Sequence, residues 1–231
     1  MSVESPQYVI IVAGGSGSRM GTTTPKQFLL LNGQPILSYT IQAFLRYSPT
    51  IQVILVLPAE QIAVWESLAP PHPSVQITTG GATRFQSVQN GLNCIEGQNG
   101  LVAVHDGVRP FISPAIIQKS FETAAQLGTA VVSVPSKDSV RLLDATGHNQ
   151  AVDRSTVRLI QTPQTFQVSV LKKAFQTPEL PIFTDDASVA EAAGFRIHLI
   201  EGAYENIKIT TPEDLVWAEA FVHNHLRSYE E

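Results

Sequence analysis

Cysteine is nearly missing from this sequence: Cys94 stands alone among 231 residues. A lone thiol closes no internal disulfide, so the chain must hold together through its apolar core, as suits a reducing compartment. Nothing beside Cys94 would activate it as a nucleophile, and a buried helix thiol is the plainer reading. Charge is scarce as well. Only 15% of the residues are Asp, Glu, Lys or Arg, and 15 basic side chains against 20 acidic ones leave a formal charge of −5. Such a chain has no general attraction for nucleic acid or for an anionic membrane. An anionic substrate must then be caught by a few placed cations, which makes every Lys and Arg worth inspecting. Long apolar runs are absent: residues 8–13 and 51–57 are strand-sized and too short to cross a bilayer. The opening MSVESPQ carries an acid at Glu4 and no basic stretch, unlike a secretory or transit leader. No internal repeat or low-complexity segment occurs. The expectation is a soluble, cytoplasmic globule.

What is present is a 43% hydrophobic chain whose length suits one domain spanning residues 1–231. Apolar runs at 8–13, 52–57, 75–78, 101–105 and 129–135 alternate with helical patterns at 35–46, 59–68, 83–94 and 114–127. Continuous rather than alternating apolarity suits strands covered on both faces. Ser113-Pro114 reads as an N-cap followed by a first-turn proline. The repeated rhythm predicts a doubly wound, mostly parallel α/β sheet of Rossmann-like type. Ligands of such sheets sit beyond the carboxyl ends of the strands, here the loops after Ala13, Gly80 and His105. Further on, 166–175 and 184–193 read as helices and 196–200 as a strand. A closing helix over 211–223 starts with Thr211-Pro212-Glu213-Asp214, an N-cap, a proline and two acids. The polar segment 136–156, with a turn at Asp144-Ala145-Thr146-Gly147, reads as a β-hairpin with little core of its own. It is either an arm that packs on another chain or a surface flap.

The first strand runs into Ala13-Gly14-Gly15-Ser16-Gly17-Ser18-Arg19-Met20-Gly21, with Pro25-Lys26-Gln27 close behind. Glycines at this density let the backbone approach a ligand and aim several N–H groups at one anion. The loop lacks the Lys-Ser/Thr ending of a Walker A motif, and Met20 stands where a dinucleotide fingerprint needs glycine. A tight turn without ligand would explain the glycines alone. Arg19 and Lys26 shift the reading, because two cations beside a phosphate-sized nest are costly unless an anion neutralises them.

These residues resemble the signature of nucleotidyltransferases that activate sugar or polyol phosphates. Gly80-Gly81-Ala82-Thr83-Arg84-Phe85-Gln86-Ser87-Val88 resembles the cytidine-binding loop of the 2-C-methyl-D-erythritol 4-phosphate cytidylyltransferases. Val104-His105-Asp106-Gly107-Val108-Arg109-Pro110 resembles that family's HDxxRP element, and Thr162-Pro163-Gln164 and Asn206-Ile207-Lys208 its two C-terminal markers. Order and spacing match over nearly the whole chain. The resemblance implies transfer of CMP from CTP to the polyol phosphate with loss of pyrophosphate, for isoprenoid precursor synthesis. It implies a homodimer, with Mg²⁺ held mainly by CTP phosphates rather than by protein ligands.

By the same resemblance Arg19 and Lys26 stabilise the transition state, while Ala13, Gly14, Gly15 and Gly17 line the nucleotide. Gly81, Ala82 and Ser87 surround cytosine, and Asp106 meets ribose or polyol hydroxyls. Arg154 and Lys208 position the polyol phosphate, with Arg109, Ser139 and Thr162 as further contacts. Many members carry an acid in place of Ala82 and a threonine in place of Ser139. In the family the hairpin completes the partner's site. Without the resemblance, Asp106 reads equally as a loop-capping aspartate and Arg154 as a solvated hairpin charge. His223 and His225 suit a frayed terminal helix better than a metal site. A ribitol 5-phosphate cytidylyltransferase shares the loop, fold and reaction, and only the arm residues and Thr162 speak against it. A non-catalytic nucleotide-binding module is opposed by Arg19, Lys26 and Lys208 together.

Overall fold

The computed structural model describes residues 5–15, 20–21 and 24–227. The chain runs β1 (Gln7–Val12), β2 (Leu30–Leu31), β3 (Gln34–Pro35), α1 (Ile36–Tyr47), β4 (Gln52–Leu57), α2 (Ala59–Leu68), β5 (Val75–Thr79) and α3 (Arg84–Asn93). It continues with β6 (Leu101–Asp106), α4 (Pro114–Leu127), β7 (Thr129–Pro135), β8 (Val140–Leu143), β9 (Asn149–Val152) and β10 (Arg158–Gln167). Last come α5 (Val168–Ala174), α6 (Asp186–Ala192), β11 (Leu199–Glu201) and α7 (Pro212–Arg227). The seven-stranded sheet has the order β11-β7-β10-β6-β1-β4-β5. All neighbours are parallel except β10, which runs antiparallel to both β6 and β7.

Continuous apolar strands are what a sheet covered on both faces requires. Val9 and Ile11 bury into one cluster with Leu37 and Phe44 of α1 and Ile117 and Phe121 of α4. Ile10, between them, points the other way, toward Val88 and Leu92 of α3 and Leu171 of α5. Each such side chain taken out of water is worth about 1.5–3 kcal/mol. The helix starts behave as their sequences announce. Ser113 Oγ accepts the Ile116 N–H at 3.3 Å, with Pro114 opening α4. Asp214 Oδ2 accepts the Thr210 and Thr211 N–H groups at the start of α7.

Four expectations need correction. Strand β10 has no counterpart in the apolar pattern, and the helix expected from residue 166 begins only at Val168, because Phe166 and Gln167 end β10. Its middle, Gln161-Thr162-Pro163-Gln164-Thr165, is polar yet buried around the proline, with side-chain partners taking the place of apolar contacts. Thr165 donates to Ser120 Oγ at 3.0 Å, and Gln164 donates to Asp185 Oδ2 at 2.9 Å. Pro163 falls where the β7 register shifts between Ile160 and Gln164, a bulge that excuses it from the ladder. Strand β11 likewise starts later than expected, since the His198 N–H turns to the Thr129 hydroxyl. Cys94 caps α3 half-buried rather than sitting inside a helix.

The hairpin forms: β8 pairs antiparallel with β9 from Val140↔Val152 to Leu143↔Asn149, as a separate two-stranded sheet. Asp144 Oδ1 closes its turn by accepting the Thr146 and His148 N–H groups at 2.9 and 3.0 Å. Among the described residues no helix is long and apolar enough to cross a membrane.

Candidate active site

A cavity of about 290 Å³ opens at the carboxyl ends of the central strands, walled by the stretches after β1, β5 and β6. Adjacent strand ends are pinned together: Ala13 N–H donates to Val56 O at 3.0 Å, and Gly107 N–H to Val12 O at 2.9 Å. Lys26 lines the cavity from a short 3₁₀ turn, Lys26–Phe28, and is buried. Its neighbour Gln27 is fully buried and donates to Ala13 O at 2.7 Å and to Gln61 Oε1 of α2 at 2.5 Å. The cation is thus carried on a turn tied to the end of β1. Gly15 makes room for it, since a methyl there would stand 3.1 Å from Lys26 Cε.

The opposite wall is the loop into α3. Gly81 N–H donates to Ser87 Oγ at 3.1 Å, the Ser87 hydroxyl donates to Thr83 O at 2.8 Å, and Ala82 N–H donates to Gln86 Oε1 at 3.0 Å. Thr83 caps the helix by accepting the Gln86 N–H. The loop is therefore held by its own hydrogen bonds, with Ser87 as a brace.

Asp106 stands where β6 ends. Its Oδ2 lies 3.0 Å from Arg109 Nε and 3.2 Å from the half-exposed Lys208 Nζ. Burial alone would raise its pKa, but Lys208, Arg109 and then Arg84 outweigh that and hold the carboxyl well below the usual carboxylate range. It is an ionised partner of two cations, so the loop-cap alternative is not what its side chain does. His105 is buried edge-on to Phe44, ring centroids 5.0 Å apart, and burial pushes it down to about 4, so it is neutral at pH 7. Thr162 Oγ1 accepts the Asp106 N–H at 3.0 Å, which directs its own proton to His105 Nδ1 at 3.1 Å. His105 Nε2–H then donates to Arg109 O at 3.1 Å.

A second cavity of about 240 Å³ adjoins the first and shares Arg84, Asp106 and Lys208 with it. Arg109, Gln161, Thr162, Gln164 and Asp185 complete much of its wall. Arg84 forms a bidentate pair with the fully buried Asp186 at 3.0 and 2.7 Å, tying the start of α3 to α6. Burial would lower the Arg84 pKa, and Asp186 raises it above its ordinary value. Arg84, Gln27, Asp185 and Asp186 were not singled out from sequence. Arg84 had a signal, as a cation inside the cytidine-type loop of a chain short of cations; Asp186 had none, being 102 residues from its partner.

Of the residues singled out, Ala13, Gly14, Gly15, Lys26, Gly81, Ala82, Ser87, Asp106 and Lys208 line the first cavity. Arg109 and Thr162 join Asp106 and Lys208 in the second. Ser139 and Arg154 line neither: both are exposed on the hairpin and its base, and Arg154 Nη1 donates to Lys137 O at 3.0 Å. Gly17 and Arg19 lie outside the described residues. His223 is exposed, the His225 side chain lies outside the described part, and no three His, Cys, Asp or Glu side chains gather among the described residues.

Comparison with known proteins identifies the family. Residues 7–224 match the family model described as IspD, 2-C-methyl-D-erythritol 4-phosphate cytidylyltransferase. A protein of that name from Bacteroides thetaiotaomicron is 49% identical over 212 residues, 90% of this chain and 96% of the relative. One from Phocaeicola vulgatus is 45% identical over 94% of this chain and 99% of its own length. Among solved structures, 4-diphosphocytidyl-2C-methyl-D-erythritol synthase from Anaerococcus prevotii superposes with a TM-score of 0.82 at 28% identity, covering 94% of this chain and 96% of that one. With Ala13–Gly15, the cytidine-type loop and the Asp106–Lys208 pair gathered at one rim, the chain belongs to the 2-C-methyl-D-erythritol 4-phosphate cytidylyltransferase family.

Proposed function

We propose that this protein transfers CMP from CTP to 2-C-methyl-D-erythritol 4-phosphate, releasing pyrophosphate, in the non-mevalonate supply of isoprenoid precursors. The observation that carries this is the pair of adjoining cavities with Arg84, Asp106 and Lys208 on their common wall. Two anions have to meet there. A phosphate monoester, second pKa about 6, is largely dianionic near neutrality and needs no general base. The demand is electrostatic: two like charges must be brought together, and new charge appears on the α-phosphoryl oxygens and the leaving group.

The first cavity takes the nucleotide, with the phosphates along Ala13–Gly15 and Lys26 and the base against Gly81–Ser87. The second takes the polyol phosphate beside Arg109, Thr162 and Lys208. Asp106 fixes Arg109 on the wall of the second cavity and Lys208 between the two, and leaves the polyol hydroxyls a carboxylate to meet. Mg²⁺ would offset charge on the triphosphate oxygens. Among the described residues Asp106 is the sole acid lining the first cavity, and it already holds two cations, so the donor set suits an ion borne mainly by the nucleotide. The lone Cys94 fits the reducing cytoplasm, where we place the reaction.

Pyrophosphate release from CTP plus this polyol phosphate tests the reading, with UTP, ATP, GTP and ribitol 5-phosphate as competitors. CTP should lead by a wide margin. The small residues of the Gly81–Ser87 loop leave little width for a purine, and a site bonded to the cytosine amino group leaves polar atoms unpaired with uracil. Similar kcat/KM for all four nucleotides, or faster turnover of ribitol 5-phosphate, refutes it. Gly81→Ala bears on the base subsite directly. Its methyl would fall 2.3 Å from Gln86 Cβ, so the loop must open. CTP binding by calorimetry should weaken roughly tenfold, about 1.4 kcal/mol; unchanged affinity would place the base elsewhere.

A further inference from the structure

Asn206 opens the Asn206-Ile207-Lys208 stretch, is fully buried, and lines neither cavity. Its Nδ2 donates to Thr162 O at 2.8 Å and to Gln161 Oε1 at 3.2 Å. Its backbone carbonyl accepts Arg109 Nη1 at 2.9 Å. Thr162, Gln161 and Arg109 are all wall residues of the second cavity, and Lys208 follows two positions along the chain. Gln161 is held in turn by donating to Ala203 O at 2.8 Å, so its Oε1 is fixed toward Asn206.

Asn206 Oδ1 is buried with no hydrogen-bond partner among the described residues, so the amide is not held in place by its oxygen. What the amide supplies is two N–H donors in one plane, and both are used on the polar bulge of β10. We propose that Asn206 is a positioning residue for the polyol phosphate: from behind the second cavity it sets Thr162, Gln161, Arg109 and the approach to Lys208, without touching substrate. The proposal rests on the cytidylyltransferase reading and adds to it a division of labour. Asn206 acts on the wall of the second cavity, and of the groups it sets only Lys208 also lines the nucleotide cavity.

Asn206→Ala and the near-isosteric Asn206→Asp, in the full-length protein, separate these roles. In both, kcat/KM for 2-C-methyl-D-erythritol 4-phosphate should fall about 10²-fold, the scale of a misplaced binding group, while the calorimetric Kd for CTP stays within about twofold. Asn206→Asp adds a pH signature. A buried carboxyl facing two acceptor oxygens has a raised pKa, and its protonated form donates one of the lost bonds. Its activity relative to the unmodified protein at each pH should therefore climb as pH falls, and that of Asn206→Ala should not. Unchanged polyol phosphate kinetics, an equal loss of CTP affinity, or unfolding of both variants overturns the proposal, the last two because they mark a merely structural residue. An unmodified protein that binds CTP yet turns over no polyol phosphate overturns the parent reading first, before any variant is compared.

Discussion

Lys26→Ala is expected to lower turnover by about 10²–10³-fold, the loss typical of removing one charge-stabilising group from a transition state. The lysine sits on the 3₁₀ turn that Gln27 anchors to Ala13 and Gln61, against the bare α-carbon of Gly15 and facing the nucleotide cavity. Such anchoring lets a cation act without reorganising, which is where most of its catalytic worth lies. From sequence alone Lys26 looks like a surface-loop residue whose loss leaves folding untouched. The structure buries it instead, so truncation to alanine also removes packing along the stem. Lys26→Met keeps the stem and deletes the charge. It should show the full kinetic loss with a near-native melting temperature by circular dichroism. Normal turnover in Lys26→Met would refute the role, whatever the alanine variant does.

The same contrast shows where the sequence is a sufficient guide. The glycine loop, the cytidine-type loop and the β6 turn are each legible because they are contiguous, and a doubly wound sheet brings the carboxyl ends of its strands to one rim. Ser113 is legible as a cap for the same local reason. Strand β10 is not. Its burial depends on Ser120 and Asp185 satisfying Thr165 and Gln164, partners 45 and 21 residues away, and no apolar period records such pairs. Asp186 is hidden likewise: two adjacent aspartates read as a polar helix start until Arg84 reaches across to one of them. The second cavity was therefore visible in its cations, Arg109 and Lys208, and not in the buried amides Gln161 and Gln164 that β10 adds to its wall.

Mixing Lys26→Ala with Arg154→Ala protein should restore about a quarter of the unmodified activity, although each variant alone is nearly dead, if two copies pair by a twofold axis and exchange freely. The reason lies in where the structure puts the hairpin. Arg154 and Ser139 are exposed and line neither cavity of their own chain, yet the family resemblance gives both to the polyol phosphate. Leu142 and Leu143 on the hairpin are 58% and 72% exposed, and Leu159 and Ile160 at its base 49% and 40%, apolar surface that a second copy would cover. An arm ordered by its partner can deliver a cation to that partner's second cavity, and we propose that it does. In a heterodimer, the chain that keeps Lys26 then receives its arm from the chain that keeps Arg154. One of two sites is intact, and half of the randomly formed dimers are of this mixed kind. If Arg154 served its own chain, each half of the heterodimer would lack one group and nothing would return. The measurement is pyrophosphate release before and after subunit exchange, with light scattering on the unmodified protein. A fully active monomer, or mixed dimers that stay inactive, would refute the shared site and leave Arg154 to act within its own chain.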